Sequence, residues 1–398
     1  MPGKLRASAL RKCRVSVICC AKGLHVKEPR PRRQRNVPTI SDVAAKAGVS
    51  PMTVSRVINH EANVRDETRR RVEAAITALN YRPSAAARTL AGGDEIRIGL
   101  LYSNPSFAYL SALLVGSLDQ ASRANVQIIV EKCDEEGTEG AAIEHLLRGR
   151  IDGLVLPPPL GDSQVILEAL ADCDIPIVAL STGHAPDWAM SVSIDDRQAA
   201  YDMTRHLGSL GHRRIGFITG NRNLTASGER LEGYRAALAD LNLADASELI
   251  AEGLFTYRSG LDAADQLLEL ADPPSAIFAS NDDMAAAAVA IAHRRGLDVP
   301  GDLTVCGFDD TALATTIWPE LTTIRQPVTD MSRMAVDLLV REIKARKADE
   351  TGVPSQHLLA EYELIRRQSD AAPRRRPTVR SAHHDVAVQI AKHAREAL

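Results

Sequence analysis

The 398-residue chain lacks several features that would assign it to a class at once. No apolar run approaches the ~20 residues that a membrane-spanning helix needs. Neither charge sign dominates. The formal net charge of -3 excludes a basic coat over the whole molecule, so any basic surface has to be local. The six cysteines (Cys13, Cys19, Cys20, Cys133, Cys173 and Cys306) show neither metal-site spacing nor the density of a disulfide scaffold. They read as reduced thiols of a cytoplasmic protein. The apolar run at residues 15–21 is too brief for an export signal, and Lys22 ends it. Also missing are a Walker-type phosphate loop, HExxH, a G-x-S-x-G elbow and a dinucleotide fingerprint. No catalytic residue, cofactor or metal site is therefore expected.

What is present falls into segments. Residues 1–37 form a basic leader in which Glu28 is the single acid, and they lack helical periodicity. A disordered arm is the plain reading; an upstream start codon or a DNA-backbone arm are the alternatives. Residues 38–81 hold three short helical patterns. Residues 82–93 read as a linker between Pro83 and the Gly92-Gly93 pair. Residues 371–398 begin with a Pro- and Arg-rich stretch and read as a disordered tail, with one short amphipathic pattern at 385–398.

From residue 96 onward, β-rich runs alternate with helical stretches. The runs are IRIGLLYS (96–103), VQIIVE (126–131), DGLVLPP (152–158), IPIVALS (175–181), IGFITG (215–220), AIFASN (276–281) and LTVCGFDD (303–310). Such alternation predicts parallel sheets covered by helices on both faces. The region is long enough for two sheets with a cleft between them.

The most informative stretch is TISDVAAKAGVSPMTVSRVIN, residues 39–59. Thr39 and Asp42 fit a capping box at a helix start. Gly48 supplies a left-handed residue to end that helix. Ser50 then caps a second helix, and Pro51 falls at its first position, where a missing N–H is harmless. Two helices joined by such a turn make a helix-turn-helix, whose second helix enters the DNA major groove. Val54, Val57 and Ile58 would face inward. Pro51 and Met52 offer apolar contacts to thymine methyls, and Arg56 suits a bidentate bond to guanine. Thr53 and Ser55 suit phosphate contacts.

Residues 39–90 resemble the headpiece of the LacI/GalR family of bacterial transcription regulators. The resemblance rests on DVA-x-x-AGVS-x-x-TVSR-x-N, on ETR-x-RV and on YRP-x-x-x-AR-x-L. It adds Thr39, Ser50 and Asn59 to the DNA-facing set. It also implies that the linker folds on operator DNA, with Leu90 wedged between base steps, Ala87 at a close helix approach and Arg88 near phosphate. One departure is Arg65, where a serine cap is usual in the family; Asp66 is expected to take over that cap.

The resemblance extends through LGSLGHRRIGFITG, SGERLEGYRAAL, SNDDMAAAAV, GDLTVCGFDDT and LTTIRQP to about residue 367. It implies a multi-domain chain: a small all-α headpiece, then an α/β body of two doubly wound parallel-sheet subdomains like a periplasmic sugar-binding protein. The body would span 94–370. Its first subdomain would hold about 96–194 and 328–346, its second about 195–325 and a closing strand within 357–367. Ligands in such sheets bind beyond the carboxyl ends of the strands. Ser181, Asn281 and Asp309 stand there. Asn281 could equally cap the following helix, and Asp309 could be a turn residue. By resemblance Arg230, Phe255 and Tyr109 join them as effector contacts, and His212 is a helix–strand connector. The implied function is a repressor, homodimeric on a pseudo-palindromic double-stranded operator, that answers to a sugar-like effector. A transport binding protein or a sugar-modifying enzyme with a DNA module are the rivals from other classes. The first lacks its export signal here, and the second its catalytic constellation.

Overall fold

The protein's structure is a computed structural model. It describes residues 38–58, 64–81, 95–103, 105–133, 139–183, 185–348 and 356–374. The chain divides into two compact units at Gly93. The basic leader, the linker at 82–93 and the pattern at 385–398 lie outside the described residues, as do Asn59, Ala87, Arg88 and Leu90.

The first unit has three helices: α1 (Ile40–Ala47), α2 (Pro51–Ile58) and α3 (Asp66–Leu79). None could persist alone, because isolated helices this short are marginal in water. They hold together around Val43, Ala44, Ala47, Val54, Val57, Val72, Ala75 and Tyr81. Asp66 does not cap α3. It is the first helical residue, and Arg65 occupies the cap without a side-chain bond. Asp66 and Glu67 instead place negative charge in the first turn, where the helix dipole favours it.

In the second unit, strands and helices alternate as expected. The chain runs through β1 (Arg97–Tyr102), α4 (Phe107–Ala124), β2 (Gln127–Lys132), α5 (Glu139–Arg148), β3 (Gly153–Leu156), α6 (Gln164–Leu170), β4 (Ile177–Leu180) and β5 (Met190–Ser193). It then crosses to α7 (Asp196–Leu210), β6 (Ile215–Thr219), α8 (Thr225–Asp240), β7 (Ile250–Glu252), α9 (Tyr257–Leu268), β8 (Ala276–Ala279), α10 (Asp282–Arg294), β9 (Thr304–Asp309), α11 (Ala312–Thr316) and β10 (Thr322–Arg325). After a return crossing come α12 (Val328–Lys347) and β11 (His357–Leu359), and a third crossing leads to β12 (Glu363–Ile365). The first sheet has the order β11-β5-β4-β3-β1-β2, and its strand pairs are parallel. The second has the order β12-β10-β9-β8-β6-β7, with β12 antiparallel to β10. The closing strand expected within 357–367 is therefore two strands, one on each sheet. Ala360 N–H donates to Ser193 O on the first sheet, while Ile365 pairs with Thr323 on the second.

Strands covered on both faces need apolar residues on both, and β3, β4 and β8 are buried at every position. In the second sheet Phe217, Phe278 and Phe308 face the core shared with Tyr234 of α8. Ile218, Ile277 and Val305 face α9 and α10. Phe217 stacks on Tyr234 with centroids 4.7 Å apart, and the tyrosine hydroxyl donates to Ile215 O at 2.8 Å.

Residues 371–374, expected to begin a disordered tail, are described, and Ala371 is tied down. Its N–H donates to Thr304 Oγ1 at 3.1 Å, and its carbonyl meets His212 Nε2 at 2.9 Å. His212 also contacts Ser275 Oγ through Nδ1 at 2.9 Å, so it joins the end of α7, the start of β8 and the final segment. Just before it, Asp370 is buried against His206 at 2.7 Å and Thr322 at 2.6 Å.

Helices α4 and α12 approach closely at Gly116, where an added Cβ would lie 2.1 Å from the Thr329 carbonyl oxygen. Gly116→Ala should therefore lower the urea midpoint of the body, by about 1–3 kcal/mol of stability. Gly140→Ala in α5 meets nothing within 4 Å and serves as the control, with no loss expected. Equal midpoints for the two variants would show that the α4–α12 approach is looser than described.

Candidate functional site

Two groups of residues are assembled here, one in each unit. In the first unit, the capping box of α1 is complete. Thr39 N–H donates to Asp42 Oδ2 at 2.7 Å, and Asp42 N–H donates back to Thr39 Oγ1 at 3.4 Å. Gly48 ends the helix at φ 64°, with Val49 packed beneath the turn. Ser50 Oγ accepts from Thr53 N–H at 3.2 Å, and Pro51 opens α2. Val54 and Val57 point into the core. Pro51, Met52 and Arg56 lie on the outer face, Met52 with 64% of its surface exposed. An exposed methionine there has no packing role in this unit. Thr53 and Ser55 are half-buried, and the Thr53 hydroxyl is paired with Ser50 Oγ at 2.9 Å.

Arg71 of α3 is the residue that sequence reasoning missed here. Its guanidinium donates to Ala47 O at 2.6 Å and to Gly48 O at 3.2 Å, satisfying carbonyls at the end of α1. The turn between the two helices is thus clamped from the third.

In the second unit, Tyr109, Ser181, Arg230, Phe255, Asn281 and Asp309 all line one pocket, with about 500 Å³ of empty space that opens to solvent. Each comes from a different element or the loop beyond it. Ser181 follows β4, Phe255 lies beyond β7, Asn281 follows β8 and Asp309 ends β9. Three of them hold left-handed backbone: Ser181 at φ 50°, Phe255 at φ 58° and Asp309 at φ 107°. Non-glycine residues rarely adopt it, and such strain gathers at functional sites.

The polar contacts assign different tasks to these side chains. Tyr109 Oη and Ser181 Oγ pair at 2.7 Å, and burial raises the tyrosine's pKa. Arg230 is buried, with 3% exposure, and is no surface salt-bridge partner. Its Nε donates to Asp196 Oδ1 at 2.7 Å and its Nη1 to Ser280 O at 2.5 Å. The guanidinium carbon lies 3.6 Å from the centroid of the Phe308 ring. Its Nη2 has no protein acceptor among the described residues. Asn281 is occupied at both ends: Oδ1 caps α10 through Met284 N–H at 2.9 Å, and Nδ2 donates to Phe255 O at 3.0 Å. It fixes the Phe255 backbone in place. Asp309 Oδ1 accepts from Gln326 Nε2 at 2.5 Å.

Gln326, Ser106, Leu224 and the pair Pro158-Pro159 also line the pocket and were not foreseen. For Gln326 a signal existed: it is a polar residue just past a β-rich run, in LTTIRQP. Its Oε1 is buried with no hydrogen-bond partner among the described residues. The cavity therefore offers the Asp309 carboxylate and Gln326 Oε1 to donors, Arg230 to an acceptor, and Phe255 with the prolines to an apolar face.

Residues 39–84 match bacterial regulatory proteins of the lacI family, and residues 204–369 match a periplasmic binding protein-like domain. Catabolite control protein A of Priestia megaterium is 34% identical over 321 residues, 80% of this chain and 96% of that protein. The chain belongs to the LacI family. Another member, the regulator GalR of Escherichia coli K12, is 32% identical over 349 residues, 87% of this chain and 98% of GalR. Among solved LacI-family structures, the lac repressor dimer bound to operator and the anti-inducer ONPF has a TM-score of 0.72 at 29% identity, covering 84% of this chain and 99% of that one. The regulator CelR in complex with cellobiose has a TM-score of 0.63 at 31% identity, covering 84% and 100%.

Burial lifts the Asp309 carboxyl from its usual 3.8 to about 7, against the opposing pull of Arg230 and the Gln326 hydrogen bond. The unfolded chain releases this proton near its ordinary value, whereas the folded chain keeps it until about 7. Stability from this group therefore falls as pH rises through that window. Asp309→Asn removes the titration. The melting temperature of the variant relative to wild type should climb between pH 4 and 7, and parallel profiles would refute the assignment.

Proposed function

We propose that this LacI-family chain is a sequence-specific DNA-binding repressor whose hold on its operator is set by a sugar-like effector in the body's cleft. The observation that carries the reading is the outer face of α2. A capped helix turns Pro51, Met52 and Arg56 to solvent while Val54 and Val57 anchor it. Helices of this placement present their first residues to base edges. Arg56 supplies the planar donor pair that guanine accepts, Met52 the apolar surface for a thymine methyl, and Thr53 with Ser55 hydroxyls for phosphate. A half-site is read by one such helix, so a homodimer on a pseudo-palindrome follows, as in the lac repressor dimer on its operator.

The cleft supports the effector half of the reading. Sugars present many hydroxyls and one flatter apolar face, and the pocket answers both with Asp309, Gln326, Arg230 and Phe255. CelR binds cellobiose in a similar body. Ser181 carries a neutral hydroxyl at the end of β4, which fits a neutral sugar better than an amine at that position. We assign the chain no enzymatic activity and place it in the cytoplasm with its DNA. Among the described residues no helix is long and apolar enough to cross a membrane.

Arg56→Ala should weaken binding to an operator from the protein's own upstream DNA by about 5- to 150-fold in a gel shift, the ~1–3 kcal/mol of one bidentate base contact. Binding to unrelated duplex at low salt should change far less. A thermal-shift screen of sugars and nucleosides should find a ligand that raises the melting temperature and alters the shifted band. Folded wild-type protein that fails to retard upstream DNA at low salt would end this reading.

A further inference from the structure

Two bridges join the subdomains beside the pocket, and of the residues that make them only Ser106 also lines it. The first centres on Thr225, the opening residue of α8 in the second subdomain. Its Oγ1 donates to Asp162 Oδ1 at 2.8 Å, lies 3.3 Å from Thr182 Oγ1, and accepts from Gly183 N–H at 2.7 Å. Asp162, Thr182 and Gly183 all belong to the first subdomain, beyond β3 and β4. Thr182 Oγ1 also donates to Asp162 Oδ1 at 2.7 Å, which holds the carboxylate in position. The second bridge runs from Ser106 Oγ, at the start of α4, to Asp283 Oδ2 in the first turn of α10, at 2.7 Å.

The first bridge has a further feature. Leu224 occupies the N-cap of α8 and makes no side-chain cap bond. The Thr225 N–H is instead satisfied by Asp162 Oδ2, at 3.2 Å, from the opposite subdomain. A helix start left uncapped by its own sequence is thus completed from across the cleft. A carboxylate there is also favoured by the helix dipole.

We propose that Asp162 and Thr225 form a closure latch: a cap shared between subdomains that holds the cleft shut and so positions the effector-binding residues. Asp162 is a positioning residue in this role and does not touch the pocket contents. The latch and the Ser106–Asp283 bridge are two ends of one closure, so loosening one loosens the other. This deepens the effector reading and rests on it only for the purpose of the pocket. Closure itself is made by the chain's own groups.

Amide hydrogen exchange on the full chain, with no sugar added, tests it. Thr225→Val keeps the side-chain shape and removes the hydroxyl. It should speed exchange at Gly183 about tenfold, as expected for losing a hydrogen bond in a charged network. It should also speed exchange at Tyr109, whose N–H is capped by Ser106 Oγ on the other bridge. Thr225→Ser should restore both, and Asp162→Ala should reproduce the Val variant. Amides of β8 report whether each variant is folded. Faster exchange at Gly183 with Tyr109 unchanged would overturn the proposal, since the two bridges would then be independent local bonds. So would no change at either site. An operator that fails to bind would sink the repressor reading and leave this result standing.

Discussion

The body's cleft is organised around one buried ion, the guanidinium of Arg230. A charge taken out of water is costly unless it is paired and its donors are satisfied. Here the partners come from three separate places: Asp196 at the first crossing between subdomains, the Ser280 carbonyl beyond β8, and the ring of Phe308 in β9. The arginine itself is carried by α8. The requirement to neutralise one side chain thus fixes the start of α7, the ends of two central strands and the angle of α8 together. Asp196 carries the counter-charge at some expense, because burial raises its pKa while Arg230 draws it down. Replacing either partner would strand the other, so the pair is better understood as a constraint on geometry than as a source of stability.

The headpiece solves a different problem with simpler means. Its helices are too short to stand alone, and its core is a handful of small aliphatic side chains and Tyr81. Termini therefore matter more than interiors. Thr39 and Asp42 close one end of α1, Gly48 turns the other, and Arg71 reaches from α3 to the carbonyls that the turn leaves open. Fixing that turn fixes the direction of α2. An outward-facing Met52 and Arg56 can then be tolerated, since little of α2 needs to be apolar once both neighbours hold it.

Much of this was legible in the sequence, for identifiable reasons. Strands buried on both faces are near-continuous apolar runs, so GLVL, IVAL and AIFA stood out. β5 did not, because MSVS alternates polar and apolar residues although every position is buried, with Ser191 Oγ paired to His357 Nδ1 at 2.9 Å. β7, β11 and β12 are three residues each, below the length at which any periodicity can be counted. Local capping chemistry was readable at Thr39 and Ser50, since cap and partner lie three residues apart. It failed at Asp66, where the expected cap became the first helical residue. It was invisible at Thr225, whose N–H finds its acceptor 63 residues away in Asp162. The six predicted residues line one pocket, and the helix cap at Asn281 was legible, but their other duties were not. Only contacts reveal that Asn281 serves the Phe255 backbone, or that Gln326 Oε1 is buried with no hydrogen-bond partner among the described residues.

The placement of these groups bears on how a pocket occupant would act. Within the first two turns of α8 lie Thr225, which bridges the subdomains, and Ala226 and Arg230, which line the pocket. At the end of β4, Ser181 lines the pocket and Thr182 joins the bridge. Groups that would touch a ligand and groups that hold the cleft are thus adjacent on the same rigid elements. A ligand that needs Arg230 and Ser181 at one separation needs α8 and β4 where the Asp162–Thr225 bond puts them. One that needs a different separation must work against that bond. Ligand and bridge then act on a single coordinate, and an effector can move the equilibrium only by the difference in its affinity for the two arrangements.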